Sequence, residues 1–212
     1  MSHFCQLVGC SGSFQYPYGM PEHTPTAERT RRAILEAGIE VLASNPGAPL
    51  AEIAERAGVS RSTFHRYFSD RNTLKKAAGE LAVEAWHNAV ARARLSEGTG
   101  LEAYRRLCTE LMDSLPALVW WMTVDGSEEA PEDHSEGEET DRQIAAMLRR
   151  GHEDGSIDPQ LSIDWISNSV WAMLYAVYFI PIESGDKLGP FEARQQALRT
   201  LLKAAAADPS SI

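Results

Sequence analysis

The stretch Leu50-Ala51-Glu52-Ile53-Ala54-Glu55-Arg56-Ala57-Gly58-Val59-Ser60-Arg61-Ser62-Thr63-Phe64-His65-Arg66-Tyr67-Phe68 decides the fold. Leu50, Ile53, Ala54 and Ala57 recur at helical spacing over one short helix, and Phe64, Tyr67 and Phe68 give the next helix an aromatic inner face. Between them Gly58 suits the positive φ of a tight turn, and Ser60 carries a hydroxyl able to cap the following helix. Ala54 is small where the two helices would cross, while Val59 and Phe64 plug the space between them. This is the spacing of a helix-turn-helix. The side chains left outside are Arg61, Ser62, Thr63, His65, Arg66 and Tyr67, donors and short polar groups suited to base edges and phosphates. Arg61 and Arg66 offer guanidinium donors to guanine, Thr63 suits a thymine methyl or a phosphate, and His65 and Tyr67 suit phosphates. The alternative on the same spacing is an ordinary helical hairpin with a solvated charged face.

Upstream, Thr24-Pro25-Thr26 supplies a capping hydroxyl and a proline fitted to a first turn, so a helix is expected to run to about Ser44 with Ala33, Ile34, Ala37, Val41 and Leu42 as its apolar stripe. Asn45-Pro46-Gly47 stops it. Residues 1–23 hold Gly, Ser, Pro and Tyr without period and are expected to form a disordered arm. Downstream, Ser69-Asp70 opens a long fourth helix from about Arg71 to Leu95, with Leu74, Ala77, Ala78, Leu81, Ala85 and Val90 turned inward. Leu101–Leu115, Pro116–Thr123, Thr140–Gly151, Gln160–Ile180 and Phe191–Ala207 continue at helical spacing, so the expected fold class is all-α. The division expected is a helix-turn-helix domain over residues 24–70 and a helical domain over 71–212.

A net charge of −10 over 212 residues argues against nucleic acid until its distribution is read. Thr26–Lys76 holds nine Lys or Arg against six Asp or Glu, whereas Ala77–Ile212 holds eleven against twenty-three. One end is basic and the rest acidic. Cys5, Cys10 and Cys108 are an odd set for which no disulfide is expected. The N-terminus lacks the basic start of a secretory signal, and the most apolar run, Val170–Ile182, is too short for a membrane span, so a cytoplasmic location is expected.

Residues 26 to about 80 resemble the DNA-binding domain of the tetracycline-repressor (TetR) family. The resemblance rests on the first helix, on the Ile-Ala-x-x-Ala-Gly-Val-Ser pattern at Ile53–Ser60, and on Phe-x-x-Tyr-Phe at Phe64–Phe68. It implies a homodimeric regulator that binds palindromic operator DNA and is released by a small-molecule effector. It further implies that Arg71, standing where the family usually has a lysine, touches the DNA backbone. Asp70 departs from the family pattern and places a negative charge nearby.

In Gln160–Ile180 the set Ile166, Val170, Met173, Val177, Ile180 runs beside Trp165, Ser169, Ala172, Ala176, Phe179, so that helix must be covered on more than one side. The resemblance implies that it and the last helix, with Phe191, Leu198, Leu201 and Leu202, pair with their symmetry mates; plain monomer core is the alternative. Trp86, Tyr104, Cys108, Met112, Trp120, Trp121, Trp171 and Tyr175 fall where the family's effector cavity lies and are the expected pocket residues.

Asp125–Asp141 holds nine acidic residues and no Lys or Arg, the composition of a solvated loop; no calcium-loop spacing is present and no metal or cofactor is expected. An enzyme reading rests on Glu84-x-x-His87, but a di-iron site needs a second such pair, which the chain lacks. A third reading, an adaptor answering to a protein partner, would use the acidic stretch as its docking surface.

Overall fold

The computed structural model describes residues 24–123, 135–183 and 188–211, and among them every extended element is a helix. The arm expected over residues 1–23, with Cys5 and Cys10, lies outside the described residues, as does 124–134 of the acidic stretch.

Helix α1 spans Pro25–Ser44. Thr24 Oγ1 accepts the Ala27 N–H at 3.3 Å, Pro25 sits in the first turn, and Ile34, Leu35, Ile39 and Leu42 face the core. Asn45 ends it, its side chain accepting the Gly47 N–H and its carbonyl the Ala48 N–H. Helices α2 (Leu50–Arg56) and α3 (Arg61–Tyr67) then form the helix-turn-helix. Gly58 turns the chain at φ +68°, a conformation in which a Cβ would be strained. The Val59 N–H closes the turn on the Ala54 carbonyl at 2.9 Å.

Helix α4 runs from Arg71 to Ala93, about 35 Å at the standard rise. It stops two residues before Leu95 because Arg94 takes a left-handed φ of 47°. Its inner face is small, Ala77, Ala78, Ala82, Ala89 and Ala93, so α5 (Gly100–Asp113) and α6 (Leu115–Thr123) pack closely on it. Leu81 and Ala85, expected inward, are half-buried instead, and Trp86 takes the buried place. A capping box of Thr99 and Glu102 starts α5. Helix α6 also packs along α1, so one apolar core runs through the helix-turn-helix and the body.

Helix α7 spans Ser135–Glu153, which corrects the loop expected up to Asp141. The apolar stripe of α7 reaches back into that stretch, with Thr140 buried and Ile144, Met147 and Leu148 following it at helical spacing. Helix α8 begins at Ile163 rather than Gln160, because Asp158 accepts the Gln160 N–H at 2.9 Å in a turn and Ser162 caps the helix through the Trp165 N–H. It runs to Glu183, and its segment Ile163–Ile182, twenty residues at mean hydropathy 1.3, does reach the length and apolarity of a membrane span, contrary to expectation. Helix α9 (Pro190–Ala205) packs along it and ends where Ala206 pairs with Ile157 in an isolated bridge. Where α5 crosses α7, an added Cβ on Gly100 would stand 2.2 Å from the Gly151 Cα, so the crossing admits only glycine.

Candidate nucleic-acid interface and tryptophan-lined pocket

On α3 Phe64 is 1% exposed and Phe68 packs beside it with ring centroids 6.0 Å apart, which turns the other side of this short helix outward. Arg61, Ser62, His65 and Arg66 are exposed, as the sequence predicted. Thr63 and Tyr67 are half-buried. Thr63 serves the start of the helix, its N–H donating to Ser60 Oγ at 3.1 Å while the Ser60 hydroxyl donates to Thr63 Oγ1 at 2.9 Å. Tyr67 packs on the core and carries the Arg66 guanidinium 5.4 Å above its ring centroid, so the arginine is steered while its donors stay available. His65 meets Phe64 edge-on at 5.6 Å.

Arg71, which the resemblance carries to the DNA backbone, also works within the protein. Its guanidinium donates Nη1 to the Pro46 carbonyl at 2.8 Å and Nη2 to the Ala48 carbonyl, tying the first turn of α4 to the α1–α2 connection. The neighbouring Asp70 is spent on the cap. Its Oδ1 accepts the Thr73 N–H at 2.8 Å and its Oδ2 the Ser69 hydroxyl at 2.8 Å. These bonds, the Thr73 N–H first, hold its carboxyl below the usual carboxylate range.

A cavity of about 230 Å³ opens among α4, α5, α7 and α8. Trp86 comes from α4, Tyr104, Leu107 and Leu111 from α5, Asp141, Ile144, Ala145 and Leu148 from α7, and Ile163, Asp164, Ser167, Asn168, Val170 and Trp171 from α8. Trp86 and Trp171 stack at 5.4 Å with planes 22° apart, and Trp121 of α6 meets both, at 6.3 and 6.4 Å.

Of the expected pocket residues, Trp86, Tyr104 and Trp171 line the cavity, and Trp121 touches it through the other two indoles. Four do not. Cys108 and Met112 follow Tyr104 along α5 into the core, where burial pushes the Cys108 thiol up to about 12. Trp120 is buried against α4 beside Gly79. Tyr175 points outward, 50% exposed, and stacks on Phe179 at 4.2 Å. Sequence reasoning missed the polar strip Asp164, Ser167, Asn168 on α8. Its signal was available: these residues and Trp171 recur at steps of three and four, a polar notch on one face of an otherwise apolar helix.

The outward side of α8 carries a second apolar row. Trp165 is 65% exposed and Ile182 65%, Ala172 and Tyr175 are exposed between them, and Phe191 of α9 adds a ring 72% exposed. Ile166, Val170, Leu174 and Val177 turn inward, so the row through Val177 lies on the core face and the outward row starts from Trp165.

A helix-turn-helix with an exposed arginine-bearing third helix, joined by one continuous helix to a helical body, defines a DNA-binding transcription regulator. Residues 34–78 match the family model for bacterial regulatory proteins of the tetR family. The HTH-type transcriptional repressor LfrR of Mycolicibacterium smegmatis is 33% identical over 151 residues, 71% of this chain and 78% of that protein. The crystal structure of the TetR-like regulator LfrR from Mycobacterium smegmatis matches with a TM-score of 0.59 at 27% identity, covering 85% of this chain and 98% of that one. LfrR in complex with proflavine matches at 0.56 and 28%, covering 84% and 97%. The ketosteroid transcriptional regulator KstR2 of Mycobacterium tuberculosis has the same fold, with a TM-score of 0.62 at 16% identity over 90% and 99%. The chain belongs to the tetracycline-repressor family.

Proposed function

We propose that this protein is a cytoplasmic homodimeric repressor that binds a palindromic operator and leaves it when a small molecule fills the tryptophan-lined pocket. The observation that carries the reading is that one helix, α4, holds Trp86 in the pocket wall and Arg71 against the connection that leads into the DNA reader. A ligand that displaces Trp86 moves the reader with it. Helix α6 supplies a parallel route, since Trp121 touches Trp86 and Trp171 while α6 packs along α1. The binding of proflavine by the relative LfrR supports the small-molecule part.

On DNA, Arg61 and Arg66 meet base edges or phosphates, Ser62, Thr63, His65 and Tyr67 complete the surface, and Arg71 acts from behind by fixing the reader's position. The outward row of α8 with Phe191 of α9 forms the dimer seam. The test is to sequence the DNA fragments that the purified protein retains and to titrate compounds against that operator by fluorescence anisotropy. A coupling of about 1–3 kcal/mol lowers operator affinity by roughly 5- to 150-fold, and by linkage operator weakens the compound by the same factor. A compound that binds the pocket equally with and without operator contradicts the proposed release.

A further inference from the structure

Few contacts hold the DNA reader at its angle. Over α2 and α3, Ile53, Ala54 and Phe64 are the buried side chains, and α2 starts at Pro49 without a side-chain cap. Apolar contacts are non-directional, so by themselves they leave α2 room to pivot on α1. One exposed ion pair spans the same two helices. Arg56, in the last turn of α2, donates Nε to Glu40 Oε2 at 3.0 Å and Nη2 to Glu40 Oε1, a two-pronged contact between residues sixteen apart in the chain. Two parallel bonds fix a rotation as well as a distance, because a planar guanidinium must meet a planar carboxylate. The pair stands where the reader meets the body: burial, and then the Glu40 charge, raise the Tyr178 phenol of α8 above its usual value. The donors offered to DNA, Arg61 and Arg66, are on α3 instead.

We infer that Glu40 and Arg56 are positioning residues for operator binding, an ion pair that sets the angle of α2, and with it α3, on α1 without touching DNA. The inference rests on reading α3 as the helix that enters the operator. Because the tight turn at Gly58 joins α2 to α3, a change of angle in one is carried to the other. A reader loosened by loss of the pair must be reordered on the operator, and that ordering weakens binding by at most what the pair contributed. Non-specific binding is carried by phosphate charge and tolerates many angles, so it does not feel the loss.

The experiment titrates the full-length protein and its Glu40→Gln, Arg56→Gln and double variants by fluorescence anisotropy against two duplexes of equal length. One carries the operator selected from the retained fragments and the other the same bases scrambled. Both residues are exposed, so the fold tolerates the changes, and urea unfolding of each variant checks it. Each variant should lose operator affinity by about tenfold, roughly threefold for each subunit of a dimer, as befits a well-formed exposed pair. The scrambled duplex should bind as before, the salt slope should stay constant, and the double variant should be no worse than either single one. The direction of change separates positioning from bare charge. Acting only as charges near DNA, the two residues would respond oppositely, Glu40→Gln tightening both duplexes and Arg56→Gln weakening both. That pattern, additive losses, or an unchanged operator affinity each overturns the inference. Arg66→Ala, run alongside, tests the reading beneath it. Operator affinity indifferent to Arg66→Ala overturns α3 as the reader and the inference with it, whereas a loss in Arg66→Ala alone overturns only the role of the pair.

Discussion

Arg71 shows how much its surroundings add to the reading of one side chain. A guanidinium at the start of α4 beside the DNA reader suits a phosphate contact, but two of its N–H groups are already given to the Pro46 and Ala48 carbonyls. Arg71→Ala should therefore destabilise the reader by about 1–2 kcal/mol and weaken binding to every sequence alike. The salt dependence should stay constant. With Arg61 and Arg66 as the phosphate-capable cations of α3, a dimer neutralises about four charges, giving a log–log slope near −3.6 that Arg71→Ala leaves alone and Arg66→Ala makes shallower. A slope that flattens in Arg71→Ala would return the residue to the phosphates. Asp70 next door answers to pH. Its carboxyl is held below the ordinary 3.8, chiefly by the Thr73 N–H, so its stabilising contribution is complete above that value and is lost as pH falls through the lowered one. Thermal unfolding should show wild type above Asp70→Ala near neutral pH, with the gap closing in strong acid.

At the scale of elements, close approach is what the helices had to solve. Gly100 and Gly151 let α5 and α7 cross with backbones nearly touching, and because an added methyl at Gly100 meets backbone rather than a flexible side chain, the neighbour cannot yield. Gly100→Ala should lower unfolding free energy by about 2–3 kcal/mol in urea titration. Gly79 in α4 is the contrast, since its Cβ would meet Trp120 at an ordinary 3.6 Å; Gly79→Ala should stabilise by up to about 1 kcal/mol through helix propensity. Neither glycine announces its role in the sequence, because both approaches join elements distant along the chain. What the sequence does announce is local: the Gly58 turn, the Ser60 and Asp70 caps and the Phe64 plug all act within a few residues of themselves. The pocket was half legible for the same reason. Its tryptophans stand out by size, but which aromatic points inward depends on the rotation of each helix, and a uniformly apolar helix such as α8 carries little periodic signal to set that rotation. Trp171 and Tyr175 share a face one turn apart, yet the pocket reaches the first and leaves the second 50% exposed, a difference of position along α8 that no helical period reveals.

For the whole molecule, the same ambiguity on α8 decides how the dimer is tested. Two apolar rows share this helix, and helical spacing alone assigns the seam to either. Val177 is 5% exposed and packs inside the subunit, whereas Ile182 is 65% exposed and Trp165 likewise stands outside. Val177→Glu should therefore bury an unpaired carboxylate and unfold the chain, visible as lost helical circular dichroism. Ile182→Glu places the same charge on the outward row, where the isolated subunit tolerates it but a symmetry-related copy meets it twice. This variant should keep its helicity and sediment near the 23.4 kDa of one chain, while wild type sediments near twice that mass at micromolar concentration. Operator affinity should fall with it, since each subunit reads only a half-site and gains from its partner's attachment. Dimeric Ile182→Glu with unchanged operator affinity would place the seam elsewhere on the surface.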